Sequence, residues 1–179
     1  MYYATTCPSP VGRLTLACDG ENLVGLWMEG QKYFGGTIGE TMIFKEDLPV
    51  FEAAKGWLNR YFAGKKPAIA ELPLRPIGGA FRQGVWSLLC EIPYGEAVTY
   101  GGLSQKLAAR LGKTTMSSQA VGGAVGHNPI SIIIPCHRVV GAGGSLTGYA
   151  GGIDKKRRLL ELEGVDTSRL FVPTKGTAL

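Results

Sequence analysis

Apolar and polar residues alternate at the start of the chain and then change to helical spacing. Residues 2–6, 12–18 and 22–28 read as three strands, and Asp19-Gly20 between the last two is a strong hairpin signal. The pattern predicts a small antiparallel sheet. Residues 30–45 are irregular, with Gly35-Gly36 as a loop. Pro49 opens a helix whose Phe51, Ala54, Leu58 and Phe62 share one face, and residues 64–67 close it. Residues 71–79, rich in Pro and Gly, read as a linker.

Helices are expected in the next stretch. Phe81, Val85, Leu88 and Leu89 line one face of a helix that stops before Pro93-Tyr94-Gly95. Thr99 caps a second, with Leu103, Leu107 and Leu111 inward and Gly112 as its stop. Ser117 or Ser118 caps a third, with Ala120, Val121, Ala124 and Val125 inward, ending at Gly126-His127-Asn128-Pro129. The last two, joined around Gly112, fit a helix-turn-helix, and the small side chains of the second would let its backbone approach a duplex closely. An ordinary antiparallel helix pair fits the same pattern. Ile132-Ile133-Ile134 reads as a buried strand that must end at Pro135, delivering Cys136 with His137 and Arg138 behind it. A glycine-rich loop, residues 141–145, follows, and Tyr149 sits among Gly148, Ala150, Gly151 and Gly152. Asp154 is placed to cap a final helix through Gly164, and residues 165–179 read as a loose tail.

Charge adds a second asymmetry. Of the net +5, residues 1–78 contribute nothing, with eight basic and eight acidic side chains. Residues 79–179 hold eleven basic and six acidic ones. A basic half beside a neutral half points to a polyanion-binding face, although a merely solvated surface carries such a charge too. Lys155-Lys156-Arg157-Arg158 in the first turns of the last helix oppose its dipole, a cost with a use if that face meets phosphate. No apolar run is long enough to span a membrane, and the start lacks a signal-peptide pattern, so a cytoplasmic protein is expected. The four cysteines, at 7, 18, 90 and 136, form no CxxC pair and are expected as free thiols. With two histidines, zinc spacings are missing, and neither a metal nor a nucleotide cofactor is expected.

Cys136 reads either as a small core hydrophobe or as a nucleophile. For the second role it needs a base, and His137 is the candidate. On an extended strand their side chains would point to opposite faces, so the chain must turn there or a water must link them. A carboxylate should orient His137 through its other nitrogen. Among Glu91, Glu96, Asp154, Glu161, Glu163 and Asp166, Glu163 is the choice, because it lies at a helix end among leucines where a buried carboxylate needs a reason.

These motifs together resemble the O6-alkylguanine-DNA alkyltransferases, the methylated-DNA–protein-cysteine methyltransferases. The resemblance rests on Ile92-Pro93-Tyr94-Gly95, Thr99-Tyr100, Ala120-Val121-Gly122, Asn128-Pro129, residues 134–139, residues 148–152, Leu159-Leu160 and Glu163-Gly164. It covers residues 81–164 almost without a break. It implies an α/β (α+β) fold: an N-terminal ribonuclease-H-like unit at 1–78, with a small antiparallel sheet and a helix, then a mostly helical, winged helix-turn-helix-like domain at 79–164. The family turns a damaged guanine out of duplex DNA and passes its O6-alkyl group to a cysteine once, irreversibly; O4-alkylthymine is a further expected substrate. The resemblance implies Cys136 as nucleophile, His137 as its base through a water, Glu163 holding His137, and Asn128 bracing the turn. It implies Tyr100 as donor to the leaving ring nitrogen, backbone groups of Cys136 and Val139 at the exocyclic amine, and the Ala150 amide near O6 beside Tyr149. DNA contacts are expected from Ser117, Ser118, Gln119, Gly122 and Arg138, and the protein is expected as a monomer. Gln119 stands where the family often has an arginine finger, which implies a weaker grip on the duplex. Two other readings of the same residues are a non-catalytic lesion sensor and a Cys-His-Glu hydrolase.

Overall fold

In the computed structural model, residues 1–36, 38–39 and 41–174 are described. The hairpin signal is realised. Strands β1 (Tyr3–Cys7), β2 (Leu14–Cys18) and β3 (Leu23–Met28) pair antiparallel. The sheet is not wholly antiparallel, however. A two-residue strand β4 (Ile43–Phe44) joins β1 in parallel, giving the order β3-β2-β1-β4. Helix α1 (Pro49–Phe62) lays Phe51, Ala54, Trp57, Leu58 and Tyr61 against β2 and β3, as its spacing requires.

All six residues of β3 are buried, because its outer edge is covered. Leu23 exchanges backbone bonds with Pro73 and Arg75, and Leu26 does so with Pro129 and Ser131. The expected linker is therefore partly docked: its residues 72–75 close the sheet edge, a covered edge being the stable one. The 129–131 segment does the same from the C-terminal half, and one apolar cluster runs from Leu14 through Trp86 to Leu159.

Helices α2 (Ala80–Leu89), α3 (Tyr100–Arg110) and α4 (Ser118–Gly126) pack on one another. Thr99 caps α3 through a bond from the Gly102 amide, and Ser117 caps α4 through one from Ala120. Three expected inward residues face solvent instead: Phe81, Leu111 and Ala120. Each lies at a helix end, where the apolar stripe has run past the neighbour it packs on. A short parallel pair, β5 (Val98–Thr99) with β6 (Val139–Val140), ties the start of α3 to the segment after the cysteine. Helix α5 runs Ile153–Leu162; Gly152, not Asp154, is its cap residue, and Asp154 lies in the first turn. The tail is not loose throughout. Phe171 bonds to Gly144 and Leu146, and Leu170 packs beside Leu146 and Leu160. Residues 175–179 of the expected tail lie outside the described residues.

The largest departure is at the isoleucines. Residues 131–134 form a buried turn, not a strand, with Ile132 at φ 70°. Apolar run length signals burial and does not separate a strand from a packed turn.

Candidate active site

One side chain ties the ends of the turn together. Asn128 donates from Nδ2 to the carbonyls of Ile134 (2.8 Å) and Ile130 (3.3 Å), and its Oδ1 accepts from the Ile130 amide (3.0 Å). These bonds add to the backbone bonds within the turn, from Ile134 to Ile130 and from Cys136 to Ile134. The chain then passes Pro135 into a 3-10 turn, Cys136–Arg138. Three residues per turn spread consecutive side chains around the axis instead of alternating them, which removes the conflict posed by an extended Cys136-His137 pair.

His137 is fully buried, and its Nε2 lies 2.7 Å from Oε1 of Glu163. The carboxylate accepts, so Nε2 carries the proton and Nδ1 presents its lone pair, without a hydrogen-bond partner among the described residues. Glu163 is also buried. Its oxygens accept from Arg138 Nε (2.8 Å) and Nη2 (2.9 Å) and from the Tyr61 hydroxyl (2.7 Å). Burial alone would raise the Glu163 carboxyl, but bonds from His137 and Arg138 outweigh it and hold the group at about 2. Burial pushes His137 down, only partly offset by Glu163, so the imidazole is a neutral acceptor at pH 7.

The Cys136 thiol is raised by its own burial, while a bond from Asn128, the charge of Lys156 and backbone amides pull the other way. Lys156 is buried completely, a rare state for lysine. Its Nζ donates to the Thr147 carbonyl at 2.9 Å and stands 5.8 and 5.9 Å from the ring centres of Tyr100 and Tyr149. Burial lowers this ammonium to about 8. Tyr100, the first residue of α3, donates to the Thr147 carbonyl at 3.1 Å. A Cβ on Gly148, at φ +77°, would lie 2.8 Å from that hydroxyl, so only glycine allows the approach. The Tyr149 hydroxyl is buried without a hydrogen-bond partner among the described residues.

A cleft of about 520 Å³ opens between α4 and the 148–154 loop, lined by Gly122, Gly126, Tyr149, Ala150, Lys32 and Tyr33. Cys136 does not line it, but Tyr149 does and stands within electrostatic reach of the thiol.

The expected residues Cys136, His137, Glu163 and Asn128 thus meet in one cluster. Tyr100, Tyr149 and Ala150 form a second group beside it, and Val139 is fully buried in β6. Ser117, Ser118 and Gln119 lie exposed at the start of α4, with Gly122 one turn on against the Tyr100 ring. Arg138 departs from its expected role. It is 6% exposed, and all three of its nitrogens are turned inward, onto Glu163 and onto the Ile92 carbonyl at 2.6 Å, so it does not face a phosphate. Lys156, read from the sequence as one of four basic residues on a face for phosphate, is instead buried beside the thiol, and Tyr61 was missed. Both were legible as polar positions on apolar helix faces: Lys156 shares one with Leu159, Leu160 and Glu163, and Tyr61 one with Ala54, Trp57 and Leu58. Among the described residues no cluster of His, Cys, Asp and Glu could hold a metal ion.

Residues 80–165 match the family described as 6-O-methylguanine DNA methyltransferase, DNA binding domain. Residues 1–76 match its ribonuclease-like domain. The chain is 43% identical to a methylated-DNA–protein-cysteine methyltransferase of Haemophilus influenzae, over 91% of this chain and 87% of the relative. It is 46% identical to one of Mycobacterium bovis, over 91% and 93%. Its fold is similar to a crystal structure of Mycobacterium tuberculosis OGT in complex with DNA: TM-score 0.75, 44% identity, covering 94% of each chain. A structure of the same organism's O6-methylguanine methyltransferase gives a TM-score of 0.73 at 40% identity, covering 98% and 97%.

Proposed function

From the premise that the chain belongs to the 6-O-methylguanine DNA methyltransferase family, we propose that it repairs O6-alkylguanine by one irreversible transfer to Cys136. Its activity is that of a methylated-DNA–protein-cysteine methyltransferase, acting in the repair of alkylated DNA. The observation that carries the finer reading is the buried His137–Glu163 pair, whose histidine shares a 3-10 turn with the thiol.

In this reading α4 lies against the duplex with Gln119 exposed at its tip, and the damaged base turns out of the stack into the cleft. Extrusion costs a few kcal/mol, less where pairing is already damaged. Gln119 can bond to the orphaned partner base but brings no charge. His137 takes the thiol proton on Nδ1 through a solvent bridge, and the Lys156 charge favours the thiolate. The sulfur attacks the alkyl carbon, a C–S bond forms, the C–O6 bond breaks, and the electron pair leaves on the guanine. Tyr100 exchanges its bond to Thr147 for one to the guanine ring nitrogen, so the departing anion is stabilised as it forms. The Ala150 amide and Tyr149 flank O6, and backbone groups of Cys136 and Val139 read the exocyclic amine. The thioether has no path to hydrolysis, so each molecule, acting as a monomer, reacts once. O4-alkylthymine presents a similar alkyl ether and is the second expected substrate.

The test is an intact mass measurement after mixing with a duplex carrying O6-methylguanine. One added methyl group on Cys136, stoichiometric with protein, is expected, and Cys136→Ala should abolish it while keeping DNA affinity. Turnover beyond one equivalent selects a hydrolase, and binding without a mass change selects a sensor.

A further inference from the structure

The transfer chemistry uses nothing before residue 100, yet one N-terminal side chain reaches its centre. We propose that Tyr61 of α1 is a positioning residue for alkyl transfer, acting through Glu163 on His137. The proposal rests on the reading of Cys136 as the methyl acceptor.

Three donors converge on one oxygen. Glu163 Oε1 accepts from the Tyr61 hydroxyl (2.7 Å), from His137 Nε2 (2.7 Å) and from Arg138 Nη2 (2.9 Å). Tyr61 is 102 residues distant in sequence from Glu163. Its ring has almost no freedom. It stacks on Trp57 at 5.5 Å and 8°, and meets Tyr94 edge-on at 5.9 Å and 74°. It is 1% exposed, so its hydroxyl bonds to this oxygen or stays unsatisfied at a cost of about 1–3 kcal/mol. The hydroxyl is therefore a fixed point against which the carboxylate is set. It also draws charge from the oxygen that His137 uses, and so limits how strongly Glu163 pulls on the imidazole proton. Arg138 cannot substitute, because its fork is shared with Oε2 and the Ile92 carbonyl. The other ionisable groups around the pair are Tyr94, Tyr149, Lys156 and Cys136, none of which bonds to Oε1.

The experiment compares full-length wild type, Tyr61→Phe and a chain carrying trifluorotyrosine at position 61. It follows the His137 Nε2 proton by NMR and single-turnover methyl transfer on O6-methylguanine duplex. Loss of the hydroxyl leaves more charge on Oε1, so in Tyr61→Phe the resonance should move downfield. Transfer should fall roughly tenfold, the size expected for a lost partner of a functional group, with DNA affinity unchanged. The more acidic fluorinated hydroxyl donates more strongly and should move the resonance upfield. Because that ring keeps nearly the shape of tyrosine, this arm stands even if Tyr61→Phe fails to fold. A resonance that stays in place in the variants, or moves the same way in both, overturns the proposal, as does an unchanged transfer rate in Tyr61→Phe. Failure of the wild type to take up a methyl group would instead overturn the repair reading, and the NMR comparison would still judge Tyr61.

Discussion

Lys156 shows how one residue sets the reactivity of another. An ammonium with no exposure loses its hydration, and its one carbonyl bond and two aromatic rings replace only part of it. Its charge is one of the few influences that favour the Cys136 thiolate against burial. Lys156→Met keeps the length and removes the charge. Alkylation of Cys136 by iodoacetamide should then slow about tenfold near pH 7, the factor that corresponds to one pKa unit on the thiol. The dependence on pH has a definite sign. The lysine is charged below about 8 and neutral above it, so the gap between wild type and variant should be wide at pH 7 and close as pH rises past 8. Mass spectrometry of the alkylated chains measures both, and a gap that persists unchanged at pH 9 would show that packing, not charge, is at work.

Among the elements, the 128–138 turn does most to place the chemistry. Asn128 binds three backbone groups of the turn; the Ile130 and Ile134 carbonyls also accept from the Ile134 and Cys136 amides, so the Ile130 amide is the group that loses its partner when Asn128 is removed. Asn128→Ala should therefore cost about 1–3 kcal/mol in urea unfolding and reduce methyl transfer in parallel. Loss of less than about 0.5 kcal/mol would mean that the turn holds itself. This element also marks where the sequence was readable and where it was not. The caps at Thr99 and Ser117, the hairpin at Asp19-Gly20 and the inner face of α1 each follow from a local rule, and each is found. The grouping of Cys136, His137, Glu163 and Asn128 was legible too, through the family resemblance and through a carboxylate among leucines. The reversal at residues 131–134 was not legible. The run of isoleucines states that the segment is buried, and the reversal depends on Ile132 at positive φ, a conformation that β-branched residues avoid and that no local signal marks. Strands β4, β5 and β6 have two residues each, too short for any alternation to show. The fate of Arg138 was hidden for a different reason: its partners lie 25 and 46 residues away, and only the fold brings them to it.

In the whole molecule Glu163 is the junction of distant parts: Tyr61 from α1, the His137 and Arg138 side chains from the 3-10 turn, and through Arg138 the Ile92 carbonyl after α2. Stability should therefore follow the protonation of this cluster. Glu163 has a folded value near 2, below its ordinary 4.5, so its contribution is complete above about 4.5 and is lost as pH falls toward 2. His137 is also lowered, so below its ordinary 6.5 the unfolded chain binds a proton that the folded chain refuses. Both groups act in the same direction, and urea midpoints should fall gradually below pH 6.5 and steeply below 4.5. Glu163→Gln separates the two. The amide still fills the space but leaves Arg138 buried and unpaired, which should cost about 3–5 kcal/mol at pH 7. The variant has no carboxylate to titrate there, so its decline between pH 4.5 and 2 should be flatter than that of the wild type, while the loss beginning near 6.5 remains. Parallel curves across the lower window would mean that the acid sensitivity lies elsewhere, and that Glu163 orients His137 without holding the two halves of the chain together.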